Sequence, residues 1–108
     1  MLPSGQQAQR LDEIRDTDSA TLRLRYLVPS IADATQTYAR MELQVFEDMQ
    51  WLCETQTRRL TRTFPGDWTA VVVTMMSRPL EFGASDPGTI QFFEQFDISG
   101  GACIWEDF

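Results

Sequence analysis

The sequence predicts an α+β domain, in which helices come first along the chain and strands come second. Apolar residues recur every three or four positions from Ile31 to Leu52, as on one face of a helix, and Phe46, Cys53 and Leu60 widen this face. Beyond them, β-branched residues dominate from Trp68 to Ser77. A Pro65-Gly66 turn separates the two patterns. The 108 residues fit a single domain, with a helical part at 1–64 and a β part at 65–108.

The N-terminal region predicts a short helix over residues 6–15, because Leu11 and Ile14 share one helical face. Residues 22–28 fit two structures. Their apolar side chains alternate with polar ones as in a strand, yet they also recur at helical spacing. The choice between helix and strand stays open at this point, with a helix favoured, and Pro29 ends whichever element precedes it.

A long amphipathic helix is predicted over about residues 30–62. Ser30 followed by Asp33 resembles a capping box at its start. At 1.5 Å per residue the helix would be roughly 50 Å long, which is more than one small sheet covers. Either the helix breaks, or residues 31–60 pack against a second copy in a homodimer. The apolar stripe consists of Ile31, Ala34, Tyr38, Met41, Val45, Met49 and Leu52.

The β part predicts a small antiparallel meander. Its strands are expected at about 68–77, 89–98 and 102–106, where β-branched and aromatic residues concentrate. Arg78-Pro79 should end the first strand, and Ser99-Gly100-Gly101 should turn the chain before the last. The long helix is expected to pack on this meander.

The charge of the chain is negative and unevenly distributed. Residues 1–64 carry nine acids and eight Arg, whereas residues 65–108 carry seven acids and Arg78 alone. A negative field repels phosphates and membrane surfaces and attracts basic proteins. We therefore expect a basic protein surface as the partner, no membrane association and no direct binding of nucleic acid. The apolar stretches are also far shorter than the roughly 20 residues of a membrane helix.

The chain contains no His and no Lys, two residue types on which many enzyme mechanisms depend. Their absence excludes His-based nucleophile activation and Walker-type phosphate binding. It also removes the commonest metal ligand. We expect no metal, no cofactor and no enzyme activity.

Glu94 is the strongest catalytic candidate that remains. In a strand over 89–98 it would share a face with Phe92 and Phe96, where burial raises the pKa of a carboxyl as a general acid requires. A bulge or a helix in this segment would expose Glu94 instead.

The two cysteines, Cys53 and Cys103, lie fifty residues apart and match no zinc spacing. The polar start of the chain indicates no secretory leader. Both thiols are therefore expected to be reduced, Cys53 in the core, and the protein is expected to be cytoplasmic.

The function that these patterns favour is binding of another protein. The chain would act as an inhibitor, as an immunity or antitoxin-like factor, or as a regulatory subunit. One alternative is a small-ligand-binding module with an apolar pocket and carboxylate chemistry. Another is an assembly protein that dimerises through its long helix. The predicted partner-binding residues are Asp67, Glu81, Asp86, Asp97, Trp105, Glu106, Asp107 and Phe108.

Overall fold

A five-stranded sheet and one long helix form the framework of the protein. The computed structural model describes residues 1–33, 37–84 and 86–106. The strands follow one another in the sheet in chain order, and all neighbours are antiparallel except β2 and β3, which are parallel. The elements are β1 (Gln9–Asp16), β2 (Thr21–Leu27), α1 (Glu42–Thr63), β3 (Ala70–Met76), β4 (Gln91–Asp97) and β5 (Ile104–Glu106).

The N-terminal region is a β-hairpin, so the short helix predicted over 6–15 is wrong, and so is the helix favoured for 22–28. In β2, buried Leu22, Leu24 and Tyr26 alternate with less apolar residues, which makes the two-residue period the correct one. The charged residues of β1 find their partners across the hairpin: Asp12, for example, lies opposite Arg25. Such cross-strand pairs stabilise β1 as a strand. They cannot be recognised from residues 6–15 alone, where the spacing of the apolar residues suggests a helix.

The long helix is shorter than predicted. Residues 30–62 were expected to be helical throughout, but α1 begins at Glu42, after two separate 3₁₀ turns at Pro29–Ala32 and Tyr38–Arg40. The side chain of Ser30 makes no capping hydrogen bond. Ile31 and Tyr38 are still buried, but each reaches the core from its own turn. Ala34 lies outside the described residues. Because the stripe is not one helix, its length no longer argues for a dimer through residues 31–60.

The three predicted strands of the β part are present within narrower bounds as β3, β4 and β5. The prediction of an entirely antiparallel meander is wrong, because the other edge of β3 pairs in parallel with β2. This pairing joins Leu22 to Val71, and nothing in the local sequence of β3 marks a second neighbour so far away along the chain.

Side chains of the sheet alternate between two faces. α1 packs on one of them, where Leu24, Val73 and Phe96 are fully buried. The other is termed the open face, because no α-helix of the described ranges packs on it. Within the same ranges, no helix combines the length and apolar character needed to cross a bilayer. The central side chains of the open face are Arg23, Arg25, Val72, Thr74, Phe93 and Gln95.

A disulfide joins Cys53 of α1 to Cys103, directly before β5. The prediction of two reduced thiols is therefore wrong, although the predicted burial of Cys53 is confirmed, since its side chain is inaccessible to solvent. The sequence separation of fifty positions conceals this proximity, because it arises only when α1 lies across the sheet.

Candidate functional site

Three adjoining hollows follow the open face of the sheet. Their volumes are about 430, 440 and 220 Å³. Arg23 lines all three, so it marks the middle of one continuous depression. Val72 and Gln95, which follow Arg23 across the sheet in the same row, form part of its floor.

Two arginines of β2 project onto the open face, and each has an acidic partner on β1. Arg25 lies 2.6 Å from a carboxylate oxygen of Asp12, and Arg23 lies 3.4 Å from one of Asp16. The pKa of Asp16 is held below its usual value, chiefly by a hydrogen bond from Ser19 and further by Arg23. The positive charges of β2 are therefore balanced locally.

The loop between β3 and β4 folds back over these arginines. Arg25 donates a hydrogen bond to the carbonyl of Leu80. The ring of Phe82 lies 5.6 Å from the guanidinium carbon of Arg23 and 5.8 Å from that of Arg25, within cation–π range. The Phe82 side chain nevertheless stays 59% exposed, so the loop brings an aromatic ring to the surface of the open face.

At the β5 end of the sheet, two aromatic rings and two carboxylates are divided between the two faces. Glu94 and Trp105 lie on the face of Phe96, which α1 covers, whereas Phe93 and Glu106 lie on the open face. Trp105 packs edge-on against Phe46 of α1 with 5.3 Å between ring centroids, and its indole N–H donates to Glu94 at 2.8 Å. Glu106 accepts a hydrogen bond from Gln95 at 3.2 Å. Neither glutamate forms an ion pair with any described residue. Phe93, which shares the open face with Glu106, is 69% exposed.

Glu94 itself is half-buried and hydrogen-bonded rather than enclosed by the apolar core. It lies near the end of the β4–β5 pairing, which involves only Gln95–Asp97 of β4. The sequence placed Glu94 correctly in a strand and on the face of Phe96, but it could not show that this part of the strand lies close to the sheet edge.

The structure gathers three of the predicted partner-binding residues on the depression, since its walls include Glu81, Asp97 and Glu106. Trp105 borders it at the β5 edge, but its ring lies against Phe46 on the face that α1 covers. Asp67 lies apart from the depression, exposed in the turn between α1 and β3. The predicted residues Asp107 and Phe108 lie outside the described residues.

Two of the predicted acids are also engaged in turns. Asp86 is 2.8 Å from Arg78, and hydrogen bonds from the Gly88 N–H and the Thr89 hydroxyl lower the pKa of its carboxyl. The hydroxyl and the backbone N–H of Ser99 likewise lower the pKa of Asp97. Both carboxylates thus stabilise local backbone turns.

Sequence reasoning missed Arg23, Phe82 and Phe93 as members of this surface. The alternation of residues 22–28 contained the signal for Arg23, because a strand there puts it on the face opposite the buried leucines. Nothing comparable exists for Phe82, which reaches the open face through the path of its loop.

A second polar cluster, also missed, lies beneath the N-terminal segment. Asp48 of α1 is 1% exposed and accepts hydrogen bonds from the Ser4 N–H at 3.0 Å, the Ser4 hydroxyl at 2.5 Å and the Tyr38 hydroxyl at 2.5 Å. Burial, and then the Asp48 carboxylate, raise the pKa of Tyr38 far above its usual value. The cluster links the N-terminal segment, the 3₁₀ turn at Tyr38 and α1. Its polar groups form hydrogen bonds with one another.

A further hollow of about 270 Å³ lies between the second half of α1 and the turn before β5. Arg58, Trp68 and the disulfide-bonded Cys103 are among its lining residues. The Trp68 indole is engaged, because it donates to the carbonyl of Phe64 at 2.8 Å. Among the described residues, no group of three or more acidic or cysteine side chains is arranged to hold a metal ion.

Fold and surface together define an α+β domain with one sheet face covered by a helix and, within the described residues, no helix on the other face. The chain belongs to DUF6497, a family of unknown function whose sequence model matches residues 1–108. Neither a curated protein nor a solved structure matches this chain.

Proposed function

We propose that this protein is a non-catalytic factor that binds a basic protein through the open face of its sheet. Its role would be that of an inhibitor, an immunity or antitoxin-like factor, or a regulatory subunit. The observation that carries the proposal is the exposure of aromatic rings beside unpaired carboxylates on a sheet face without a helical cover. Phe82 and Phe93 are the most exposed of these rings, at 59% and 69%.

Exposed aromatic rings on a flat surface support a protein partner. Aromatic side chains supply most of the binding energy at many interfaces, particularly at the centre of the buried patch. Clusters of exposed apolar side chains with polar rims commonly mark interaction sites. On the open face, Phe93 and Asp97 belong to β4, and Glu106 belongs to the neighbouring edge strand β5.

The balance of charges supports a basic partner. Arg23 and Arg25 are neutralised by their neighbours on β1. Glu81 and Glu106 form no ion pair within the described residues and line the same depression. Unpaired carboxylates around an interface accelerate association with a positively charged protein and disfavour acidic ones.

The disulfide bears on where this binding takes place. Disulfides persist in oxidising compartments and are rare in the reducing cytoplasm. The bond between Cys53 and Cys103 therefore favours a location outside the cytoplasm over the cytoplasmic one that the sequence suggested.

The test is affinity capture from the native cell, followed by calorimetric titration of the recovered protein. Two variants alter the open face: Glu81→Lys with Glu106→Lys, and Phe93→Ala. We expect each to weaken binding about tenfold or more, the first mainly at low salt. Glu47→Lys is the matched control, because Glu47 is exposed on α1, away from the open face. A partner that binds the charge-reversed variant as tightly as the unaltered chain at low salt would contradict the proposal.

A second candidate function, binding of a small ligand with possible carboxylate chemistry, is supported by one observation. The hollow of about 430 Å³ has Glu94 in its wall together with Phe93 and Trp105. Its position on the surface distinguishes it from an enclosed pocket, since the core residues beneath are packed without exposure. A ligand that protects the protein thermally, and loses this effect in Phe93→Ala without any protein partner, would favour this function over the first.

A further inference from the structure

Two exposed aromatic rings of the open face lie on opposite sides of strand β3. Arg25, Thr74 and Phe93 form one row across β2, β3 and β4, so Phe93 projects from β4 onto the open face. Phe82 lies over the arginines of β2, 5.6 Å from the guanidinium carbon of Arg23 and 5.8 Å from that of Arg25. The two rings therefore flank the open-face side chains of β3.

The space between Phe82 and Phe93, above Val72 and Thr74 of β3, is termed the slot. Val72 lines both the hollow of about 220 Å³ on the Phe82 side and the hollow of about 430 Å³ on the Phe93 side, so the two hollows adjoin above it. The strands β2 and β4, on either side of β3, lie roughly 10 Å apart at about 4.8 Å per strand spacing. A flat ring inserted between two others needs about 3.5–4 Å on each side, or about 7–8 Å in all, and therefore fits this width.

The chemistry of the slot favours a neutral ring over a cation. The guanidiniums of Arg23 and Arg25 lie beside the Phe82 ring, so a further cation on this ring would be repelled by them. The two rings and the methyl groups of β3 offer apolar contact instead. Phe82 and Phe93 are 59% and 69% exposed, so an inserted ring would remove much apolar surface from water.

Two polar side chains at the slot favour a ring that carries a hydroxyl group. The Thr74 hydroxyl and the Gln91 amide line the hollow on the Phe82 side. Neither side chain has a hydrogen-bond partner among the described residues. Because a buried tyrosine hydroxyl usually forms a hydrogen bond, these groups provide what a tyrosine needs and a phenylalanine does not use.

We infer that the slot receives a tyrosine side chain of the basic partner, on a segment whose neighbouring basic residues face Glu81 and Glu106. The inference rests on the proposed function and deepens it, because it names the anchor residue. Glu81 lines the hollow on the Phe82 side and Glu106 the hollow on the Phe93 side. Neither forms an ion pair within the described residues. Charge complementarity therefore favours a tyrosine flanked by arginine or lysine over one in an acidic segment.

The direct test uses a blocked Arg-Tyr-Arg tripeptide as the probe and the full chain as the receptor. An aromatic ring seated in the slot shifts the NMR signals of the methyl groups beneath it, so the methyls of Val72 and Thr74 are the reporters. We expect saturable upfield shifts of these signals. The matched Arg-Leu-Arg peptide should bind about threefold more weakly, and Arg-Ala-Arg about tenfold. Equal binding of the tyrosine and alanine peptides would show that charge alone holds the probe and would overturn the inference.

Conservative variants locate the site. Thr74→Val keeps methyl groups on the floor and removes the hydroxyl, so it should weaken the tyrosine peptide about threefold and leave an Arg-Phe-Arg peptide unaffected. Phe82→Leu and Phe93→Leu should each weaken the tyrosine peptide about threefold through loss of a ring. Leu43→Ala is the control and should leave the affinity unchanged, because Leu43 is 70% exposed on α1, away from the open face.

Thermal unfolding checks that each variant is folded. Unchanged affinity in both the Phe82 and the Phe93 variant would place the probe elsewhere and overturn the inference.

The two proposals can fail separately. A recovered partner that depends on Phe93 and Glu81, combined with no shift of the Val72 and Thr74 methyls by the tyrosine peptide, overturns the tyrosine slot and leaves protein binding intact. Binding of the peptide in the slot, combined with a recovered partner insensitive to changes of the open face, supports the tyrosine slot and contradicts the broader function.

Discussion

Asp48 is a buried carboxylate whose hydrogen-bond partners come from two distant parts of the chain. It faces no lysine or arginine among its described hydrogen bonds, and it is held by the hydroxyls of Ser4 and Tyr38 and the N–H of Ser4. Burying a carboxylate is costly unless hydrogen bonds replace the water it loses. The three donors offset that cost and in return fix the N-terminal segment against α1.

Removing this carboxylate is expected to be strongly destabilising. Asp48→Ala leaves the Tyr38 hydroxyl and the Ser4 donors without their acceptor in a buried site, so the free energy of unfolding should fall by about 3 kcal/mol. Urea denaturation measures the loss. Glu47→Ala, at the exposed neighbouring position, should change stability by less than about 0.5 kcal/mol. A loss of under about 1 kcal/mol in Asp48→Ala would show that the cluster contributes little.

At this scale the sequence identifies side-chain types but not their surroundings. Asp48 is one acid among several on the predicted long helix, and its register within the apolar stripe becomes visible only once the N-terminal segment packs over it. Glu94 shows the opposite case. Its strand and its face were predictable from alternation, whereas its exposure depends on where β5 stops pairing with β4.

At the scale of elements, the disulfide connects α1 to the β5 edge of the sheet. It links the middle of α1 to the residue before β5. α1 contacts β3 more extensively than β4, and the disulfide adds a covalent link between α1 and the segment that leads into β5. Within the described residues, β5 has three residues and pairs with β4 alone, so few backbone hydrogen bonds hold it to the sheet.

Loss of the disulfide should therefore lower stability substantially. Closing a loop of fifty residues is worth about 4 kcal/mol by the chain-entropy relation. We expect the Cys53→Ala, Cys103→Ala double variant to lose about this amount in chemical denaturation. The unaltered chain should lose a similar amount when reductant is added, while the double variant should not respond to it. A denaturation midpoint that reductant leaves unchanged in the unaltered chain would contradict the expectation.

Elements that are marked by their own residues were predicted more accurately than elements that depend on pairing partners elsewhere in the chain. The strands β3, β4 and β5 and the main part of α1 follow from β-branched composition and helical periodicity. β1 and β2 were missed because their residues satisfy both periods, and the hydrogen bonds that decide between them come from pairing partners elsewhere in the chain. The start of α1 was misplaced because apolar residues of two 3₁₀ turns continue the same spacing.

At the scale of the whole molecule, the two tyrosines report on the integrity of the core. Burial, followed by the negative charge of Glu13, raises the pKa of Tyr26 to about 12. Burial and Asp48 also raise the pKa of Tyr38 well above its usual value. The chain contains no other tyrosine. Ionisation of either ring is therefore coupled to opening of the structure.

This coupling predicts alkaline unfolding. Unfolded tyrosine ionises near pH 10, whereas both folded tyrosines stay neutral there. Their contribution to stability is complete below about pH 10 and is lost as pH rises towards 12, at up to about 1.4 kcal/mol per pH unit for each ring. Tyrosinate absorbance should rise together with the loss of the circular dichroism signal, and Tyr26→Phe should make the pH dependence less steep. Tyrosinate formation near pH 10 in a fully folded chain would contradict this.

The excess of acidic residues in the β part was evident from the sequence. The sequence did not show on which surface of the protein these residues lie together. Glu81 and Glu106 come from a loop and an edge strand. They join Phe82 and Phe93 on one surface because β4 lies between the loop and β5 and because α1 covers the other face. Both conditions are properties of the assembled sheet.

The parallel pairing of β2 with β3 also sets the order in which the chain can be assembled during synthesis. β1 and β2 need only a short turn to pair, whereas Leu22 can pair with Val71 only after a further 49 residues have been synthesised. Contacts this distant in sequence are slow to form, because a long loop must close before any bond rewards it. Until β3 has been synthesised, one edge of β2 stays unpaired beside exposed Leu22, Leu24 and Tyr26, a combination prone to pairing with other chains. We therefore expect residues 1–64 alone to be prone to association, and the edge of β2 to be protected only once β3 has paired with it.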